Sequence, residues 1–177
     1  MHASPANSSS FKVTTPSDTE IEMGRLFDAP PALVFEVMTR PEHVQQWWGQ
    51  LGEGYSVTTC EIDLRVGGAW RFVNKHPRGE VEFYGRYREI SPPDRLVFTE
   101  IFAQYPDVES LVTTTLTAEG GKTRMRVVVR YPSQEVRDIV MKSGMEHGAR
   151  ASYDRFEDLL ARLGAPVSPG DRRAARA

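Results

Sequence analysis

The stretch that decides the fold is Cys60-Glu61-Ile62-Asp63-Leu64-Arg65-Val66-Gly67-Gly68-Ala69-Trp70-Arg71-Phe72. A glycine pair separates two segments in which apolar residues alternate, and glycine supplies the backbone angles that a tight reversal needs. We therefore predict one strand before the pair and a returning strand after it. Trp70 and Phe72 share one face of the returning strand because side chains alternate with a period of two.

Four more strand-like runs follow along the chain. They cover residues 81–90, 95–102, 111–117 and 123–131, and the segments between most of them are rich in glycine or proline. Gly85 lies inside the first run. A glycine within a strand is typical of a bulge, of sharp curvature or of a close approach by another group. We expect curvature, since a bent sheet that wraps around a helix needs such relief.

The N-terminal part predicts one strand and two short helices. Residues 21–27 form the strand, in which Arg25 interrupts the apolar alternation and suggests a bulge. Proline-containing starts at residues 28–31 and 40–41 open the helices. The second helix ends at Trp47 and Trp48, whose side chains point about 100° apart. We expect one of them to pack inward and the other to border an opening.

The C-terminal part predicts a long amphipathic helix. A helical region opens near Ser133, with Gly144 and Gly148 weakening its middle, and Gly164 ends it. Tyr153 lies at the edge of an inner stripe with helical spacing. The members of that stripe are Met145, Ala149, Ser152, Phe156, Leu159, Leu160 and Leu163.

Composition limits the classes of protein to which the chain can belong. Its 177 residues suit one folded domain, and 22 basic against 24 acidic side chains give a net charge of -2. This balance argues against a nucleic-acid-binding protein. Cys60 is the only cysteine, which excludes an internal disulfide and fits a reducing, cytoplasmic location. The sequence has no apolar run of the length that a membrane span requires.

Three parts of the chain are distinguished by composition. Residues 1–18 are rich in Ser, Pro and Thr and predict a disordered leader, and residues 19–164 predict the single folded domain. Residues 165–177 predict a loose tail that contains arginines.

Several motifs together resemble a known family. The order of elements is similar to the helix-grip fold of START domains, the major birch-pollen allergen and polyketide cyclases. The motifs resemble bacterial proteins of the Hsp90-ATPase-activator-homologue (AHSA1-like) family. They are Asp28-Ala29-Pro30, Trp47-Trp48-Gly49, residues 63–70, residues 85–90, Arg95-Leu96-Val97-Phe98 and Gly144-Met145.

The resemblance implies an α+β fold of START/Bet v 1-like type. In it, a curved antiparallel sheet of about seven strands, in the order β-α-α-β6-α, wraps around the long C-terminal helix. Such a sheet leaves an apolar concavity in which a small molecule can bind. Face and period then give the residues of a predicted ligand site. These are Trp47, Trp48, Trp70, Phe72, Phe83, Phe98, Phe102, Met125, Met145 and Tyr153, with Tyr87, Thr114 and His147 as polar contacts.

Catalysis has less support from the sequence. His147 and Glu100 are candidates for acid-base chemistry, but no spacing forces them together. No second histidine stands four residues from His147, and Cys60 has no signalled histidine partner. We therefore predict no catalytic residue, no metal ligand and no cofactor.

Three functions remain open. The first is non-enzymatic binding of a small hydrophobic or aromatic molecule. The second is a cyclase-like or hydrolase-like enzyme that uses His147 or Glu100 with Tyr87 as a proton relay. The third is a protein-interaction domain, either a partner of a chaperone of the Hsp90 class or a homodimer.

Overall fold

The computed structural model describes residues 10–164, so residues 1–9 of the predicted leader and the predicted tail 165–177 lie outside the described residues. Within that range the chain forms one eight-stranded sheet and four helices. The elements in chain order are β1 (Lys12–Thr14), β2 (Glu20–Phe27), α1 (Pro31–Thr39), α2 (Pro41–Trp47), β3 (Ser56–Ile62), β4 (Ala69–His76), β5 (Gly79–Ser91), β6 (Arg95–Phe102), β7 (Glu109–Glu119), β8 (Lys122–Arg130), α3 (Gln134–Lys142) and α4 (Met145–Gly164).

The sheet is antiparallel throughout, in the order β1-β2-β8-β7-β6-β5-β4-β3. It curves around α4, which confirms the predicted α+β helix-grip fold. The additional strand is β1, which falls in the segment that we expected to be a leader. It is only three residues long and pairs with β2, while the neighbouring Phe11 is buried 5.8 Å from the Tyr153 ring on α4. A strand this short carries too little alternation to be predicted from sequence.

The predicted bulge at Arg25 is wrong. The register between β2 and β8 runs without a shift, and Ile21, Met23, Arg25 and Phe27 all point to the buried face. Arg25 is completely buried, and its guanidinium donates to Asp154 on α4 at 2.7 Å. This ion pair offsets part of the cost of burying a cation, so a charged residue can occupy a core position of the strand.

The helix boundaries follow from local signals. Pro31 and Pro41 occupy first helical positions of α1 and α2. The Ser133 hydroxyl accepts a hydrogen bond from the Val136 amide at 3.2 Å and caps α3. Gly144 has a φ of 83° and separates α3 from α4, so the predicted weak middle is a complete break between two helices.

Helix α4 is packed tightly along its C-terminal half. Phe156 is fully buried and stacks on Phe27 of β2, with ring centroids 4.7 Å apart. Trp47 at the end of α2 meets Phe156 at 4.8 Å, and its indole donates to the Val37 carbonyl of α1 at 3.0 Å. The two short helices are thereby fixed against one end of α4.

Candidate functional site

Six aromatic side chains form a cluster on the sheet face that looks toward α4, and we call them the inner aromatic cluster. Its members are Trp48, Trp70, Phe72, Phe83, Phe98 and Phe102. The sheet register produces it: Phe72 pairs with Phe83, and Phe83 pairs with Phe102. The Phe83 and Phe102 rings stack with centroids 4.9 Å apart. Strands β4, β5 and β6 therefore present a continuous aromatic surface.

Trp70 lies across the neighbouring strand because Gly85 has no side chain. Trp70 and Gly85 are register partners, and the indole reaches past β5 to donate to the Thr99 carbonyl of β6 at 3.1 Å. A Cβ at Gly85 would overlap this carbonyl and stand 2.8 Å from the indole nitrogen. Besides the predicted curvature, Gly85 therefore allows the Trp70 indole of β4 to come close to the backbone of β6.

Trp48 joins the cluster from the end of α2, where the backbone of Gly49 is held on both sides. The Gly49 amide donates to the Ser152 hydroxyl of α4 at 3.2 Å, and the buried Asn74 side chain of β4 donates to the Gly49 carbonyl at 2.9 Å. With the backbone fixed, the Trp48 ring meets Phe72 at 5.2 Å. Trp47 and Trp48 point apart, as expected, toward two different parts of the interior.

The inner aromatic cluster is only partly covered by the rest of the chain. Trp70 is 3% exposed, but the other five members are half-buried although they face the helix side of the sheet. Met145 and Ala149 in the first turns of α4 are half-buried as well. By contrast, Phe156 and Leu160 farther along α4 are at most 2% exposed. The inner aromatic cluster and the first turns of α4 are therefore less completely packed than the later turns of α4.

Glu100 lies among these aromatic residues. It stands on β6 between Phe98 and Phe102 and shares their face by the two-residue period. The register that pairs Tyr84 with Ile101 brings Gly85 opposite Glu100 on one side, and Ser110 is its partner on the other. Glu100 is half-buried, and within residues 10–164 its carboxyl has no hydrogen bond and no ion pair.

Burial gives the ionisable groups of this region unusual properties. Loss of hydration raises the pKa of Glu100 to about 7, and the Glu100 charge in turn helps to raise the pKa of Tyr131 and of Tyr153, where burial is the larger cause. Burial also raises the pKa of Tyr87, with a smaller contribution from Cys60, whose own pKa rises to about 11. The phenols therefore stay neutral near neutral pH, while Glu100 can change its charge.

The predicted site residues separate into three groups in the structure. Half-buried residues around the partly covered surface are Trp48, Phe72, Phe83, Phe98, Phe102 and Met145. Residues buried in the core are Trp47, Trp70, Tyr87, Thr114, Met125 and Tyr153. His147 is exposed on α4. Among the proposed relay residues, Tyr87 is the register partner of Phe98, which lies two residues from Glu100 on the same face of β6.

Two residues of this region were not among the predicted ligand contacts. The sequence predicts Glu100 as a catalytic candidate only, although the alternation Leu96, Phe98, Glu100 and Phe102 places its side chain on the aromatic face. Tyr131 follows the last residue of β8 and gave no sequence signal, because its proximity to Glu100 depends on the pairing of β6, β7 and β8.

Two other kinds of feature are missing from residues 10–164. No helix there combines the length and the apolar character needed to cross a membrane. No group of three or more His, Cys, Asp or Glu side chains in the same range is arranged to hold a metal ion.

Comparison with known proteins identifies relatives of the chain. The family described as Activator of Hsp90 ATPase homolog 1-like protein matches residues 28–161, which confirms the resemblance drawn from the motifs. A crystal structure of a protein from Rhodobacter sphaeroides is 30% identical, covers 86% of this chain and 99% of its own, and superposes with a TM-score of 0.78. No curated protein matches the chain.

Two further solved structures show the same fold. A protein from Mycobacterium smegmatis is 24% identical, with 89% of this chain and 98% of its own covered and a TM-score of 0.76. A protein from Chromobacterium violaceum is 25% identical, with 81% and 98% covered and a TM-score of 0.70.

Proposed function

Because the chain belongs to the Activator of Hsp90 ATPase homolog 1-like family, a START-like fold family whose members often bind hydrophobic ligands, we propose that it binds a small hydrophobic or aromatic molecule. The molecule would lie between the inner aromatic cluster and the first turns of α4. One observation carries the proposal: five aromatic rings on the helix-facing side of the sheet remain half-buried. Aromatic surface that the chain leaves uncovered is stabilised when a ligand removes it from water.

The position of the uncovered rings favours a ligand over simple loose packing. They belong to three adjacent strands and to the end of α2. Four of them touch one another edge to face or stacked at 4.9 to 5.6 Å, and the fifth, Phe98, meets Trp70 at 5.4 Å. Small-molecule sites are commonly concave, mostly apolar and provided with a few polar groups. Here Glu100 supplies the polar group, and the first turns of α4 carry the half-buried side chains of Met145 and Ala149.

The test is to fill the space from the helix side. Ala149→Phe adds a ring at a half-buried position in the first turns of α4 that packs against the core, whereas Ala161→Phe adds the same ring at an exposed position of the same helix. A thermal-shift panel of aromatic hydrocarbons, sterols, fatty acids and polyketides, with native mass spectrometry of the hits, reports binding. We expect compounds that stabilise the wild type and Ala161→Phe to lose their effect on Ala149→Phe. Equal shifts in both variants, or no stabilising compound, would contradict the proposal.

Binding to a chaperone of the Hsp90 class, which the family name suggests, and formation of a homodimer remain predictions. Mixing the protein with a bacterial Hsp90 and measuring ATP hydrolysis tests the first, and light scattering after size-exclusion chromatography tests the second. Stimulated hydrolysis that survives Ala149→Phe would assign the activity to a surface outside the concave face.

A further inference from the structure

We infer that the ligand is an apolar or aromatic molecule carrying a protonated amine, and that Glu100 is the residue that selects it. The inference rests on the proposed function and adds a chemical class to it. Its geometric basis is the place of Glu100 on the sheet, between Phe98 and Phe102 along β6 and opposite Gly85 on β5, across which the Trp70 indole lies.

The Glu100 carboxyl lacks any compensation from the described part of the chain. No cationic side chain in residues 10–164 forms an ion pair with it, and no donor there forms a hydrogen bond with it. A carboxyl that is partly withdrawn from water normally has such partners, because an unpaired acidic group loses hydration without gaining an interaction in return. Loss of hydration raises the pKa of this carboxyl to about 7, which agrees with the lack of a partner.

The fully buried cation of the core is paired with another carboxylate. Arg25 is completely buried on β2 and is paired with Asp154 at 2.7 Å. Its charge opposes the rise in the pKa of the Tyr153 phenol, whereas the pKa of Glu100 is raised by loss of hydration. A positive charge for Glu100 must therefore come from outside the described chain.

The surroundings favour an ammonium group over other donors. Phe98 and Phe102 flank Glu100, and aromatic faces attract cations as well as apolar groups. An ammonium group would form a charge-assisted hydrogen bond with the carboxylate, which is stronger than the bond that a neutral hydroxyl can form. The apolar remainder of the molecule would cover the half-buried rings of Trp48, Phe72 and Phe83.

The groups that face Glu100 determine how binding depends on pH. They are the Ser110 hydroxyl of β7, the Tyr131 phenol after β8 and the Tyr153 phenol of α4, with the Arg25 and Asp154 pair behind Tyr153. Both phenols have a pKa raised above the ordinary value and remain neutral. Protonation of Glu100 itself therefore controls the charge that an amine meets.

Three compounds of similar size separate the possibilities. These are 4-phenylbutylamine, 4-phenylbutanol and butylbenzene, titrated calorimetrically into the protein at pH 8 and at pH 5.5. We expect the amine to bind at least about tenfold more tightly than the alcohol at pH 8, as a charge-assisted bond predicts. The preference should shrink at pH 5.5, where Glu100 is mostly protonated.

Two variants show whether Glu100 is responsible. Glu100→Gln should remove the preference for the amine while retaining affinity for butylbenzene, and Glu80→Gln, which loses an exposed carboxylate from β5, should retain the preference. Equal binding of amine and hydrocarbon, or a preference that survives Glu100→Gln, would overturn this inference and leave the proposed function standing. Failure of all three compounds to bind would count against both.

Discussion

The two halves of the concave face differ in how completely they are filled. We call one the packed half, where Phe27, Val34, Val37 and Phe156 are fully buried. We call the other the open half, which consists of the inner aromatic cluster with Glu100 and in which most rings are half-buried. Both halves are covered by the same helix, so the difference comes from the residues that α4 presents to the sheet.

The size of the side chains on α4 explains why the two halves differ in packing. Over the packed half α4 supplies Phe156, Leu159 and Leu160, all of which are buried, whereas its first turns supply Met145 and Ala149. Small side chains opposite large rings leave the rings without close neighbours on one side. The packed half therefore stabilises the fold, and the open half is where we propose that a ligand binds.

The largest loss of stability should come from removing an aromatic side chain from the packed half. Phe156→Ala should lower the free energy of unfolding by about 3–5 kcal/mol, because it removes a fully buried side chain and leaves a cavity. Phe83→Ala removes the same ring from the open half and should cost only about 1–2 kcal/mol, since half-buried surface contributes less. Urea denaturation of both variants makes the comparison, and equal losses would abolish the distinction between the halves.

The next largest loss of stability should follow when the buried Arg25 of the packed half loses its counter-charge. Asp154→Asn leaves Arg25 without its counter-charge and should cost about 2–3 kcal/mol, below the usual loss for a buried pair because Asp154 is 41% exposed. The control is Glu22→Gln, which breaks the ion pair of Glu22 with Arg126 on the outer face and should cost less than about 1 kcal/mol. If the two variants unfold at the same denaturant concentration, Arg25 does not depend on Asp154.

Arg25 also shows what the sequence could and could not predict. Alternation and turn glycines are local signals, so the strands from 56 to 130 were predicted closely; β6 was predicted with its observed bounds, residues 95–102. The burial of Arg25 depends on Asp154, which lies 129 residues away in the chain. Nothing near Arg25 in the sequence indicates that partner, and its charge suggested a bulge instead.

The candidate site has the same limit. The two-residue period assigned Phe72, Phe83, Phe98 and Phe102 to one face, and the register places them together. Whether the rings are covered depends on the distance between α4 and the sheet, which no local pattern specifies. The exposure of His147 has the same origin, because the rotation of α4 about its axis is set by packing at its other end.

A smaller effect is expected at the crossing of Trp70 over β5. Gly85→Ala should lower the free energy of unfolding by about 2 kcal/mol, because the added methyl group meets the Thr99 carbonyl and the Trp70 indole. Gly148→Ala is the matched change on α4, where an added Cβ meets nothing within 4 Å, and it should stabilise the helix by up to about 1 kcal/mol. Thermal unfolding measures both. A neutral Gly85→Ala would mean that Trp70 can leave its position without loss.

The smallest effect tests the open half through its carboxyl. The pKa of Glu100 is about 7 in the folded protein and lies near 4.5 when the group is hydrated, so the folded state holds its proton more tightly. Its contribution to stability is therefore fully present below pH 4.5 and is lost as the pH rises to 7. Glu100→Gln should be more stable than the wild type by about 1 kcal/mol at pH 8, and the gain should disappear toward pH 4.5. Urea unfolding across this pH range measures the gain, and Glu80→Gln is the control at an exposed position. A gain in stability that does not vary with pH would show that the Glu100 carboxyl is fully hydrated in the folded protein.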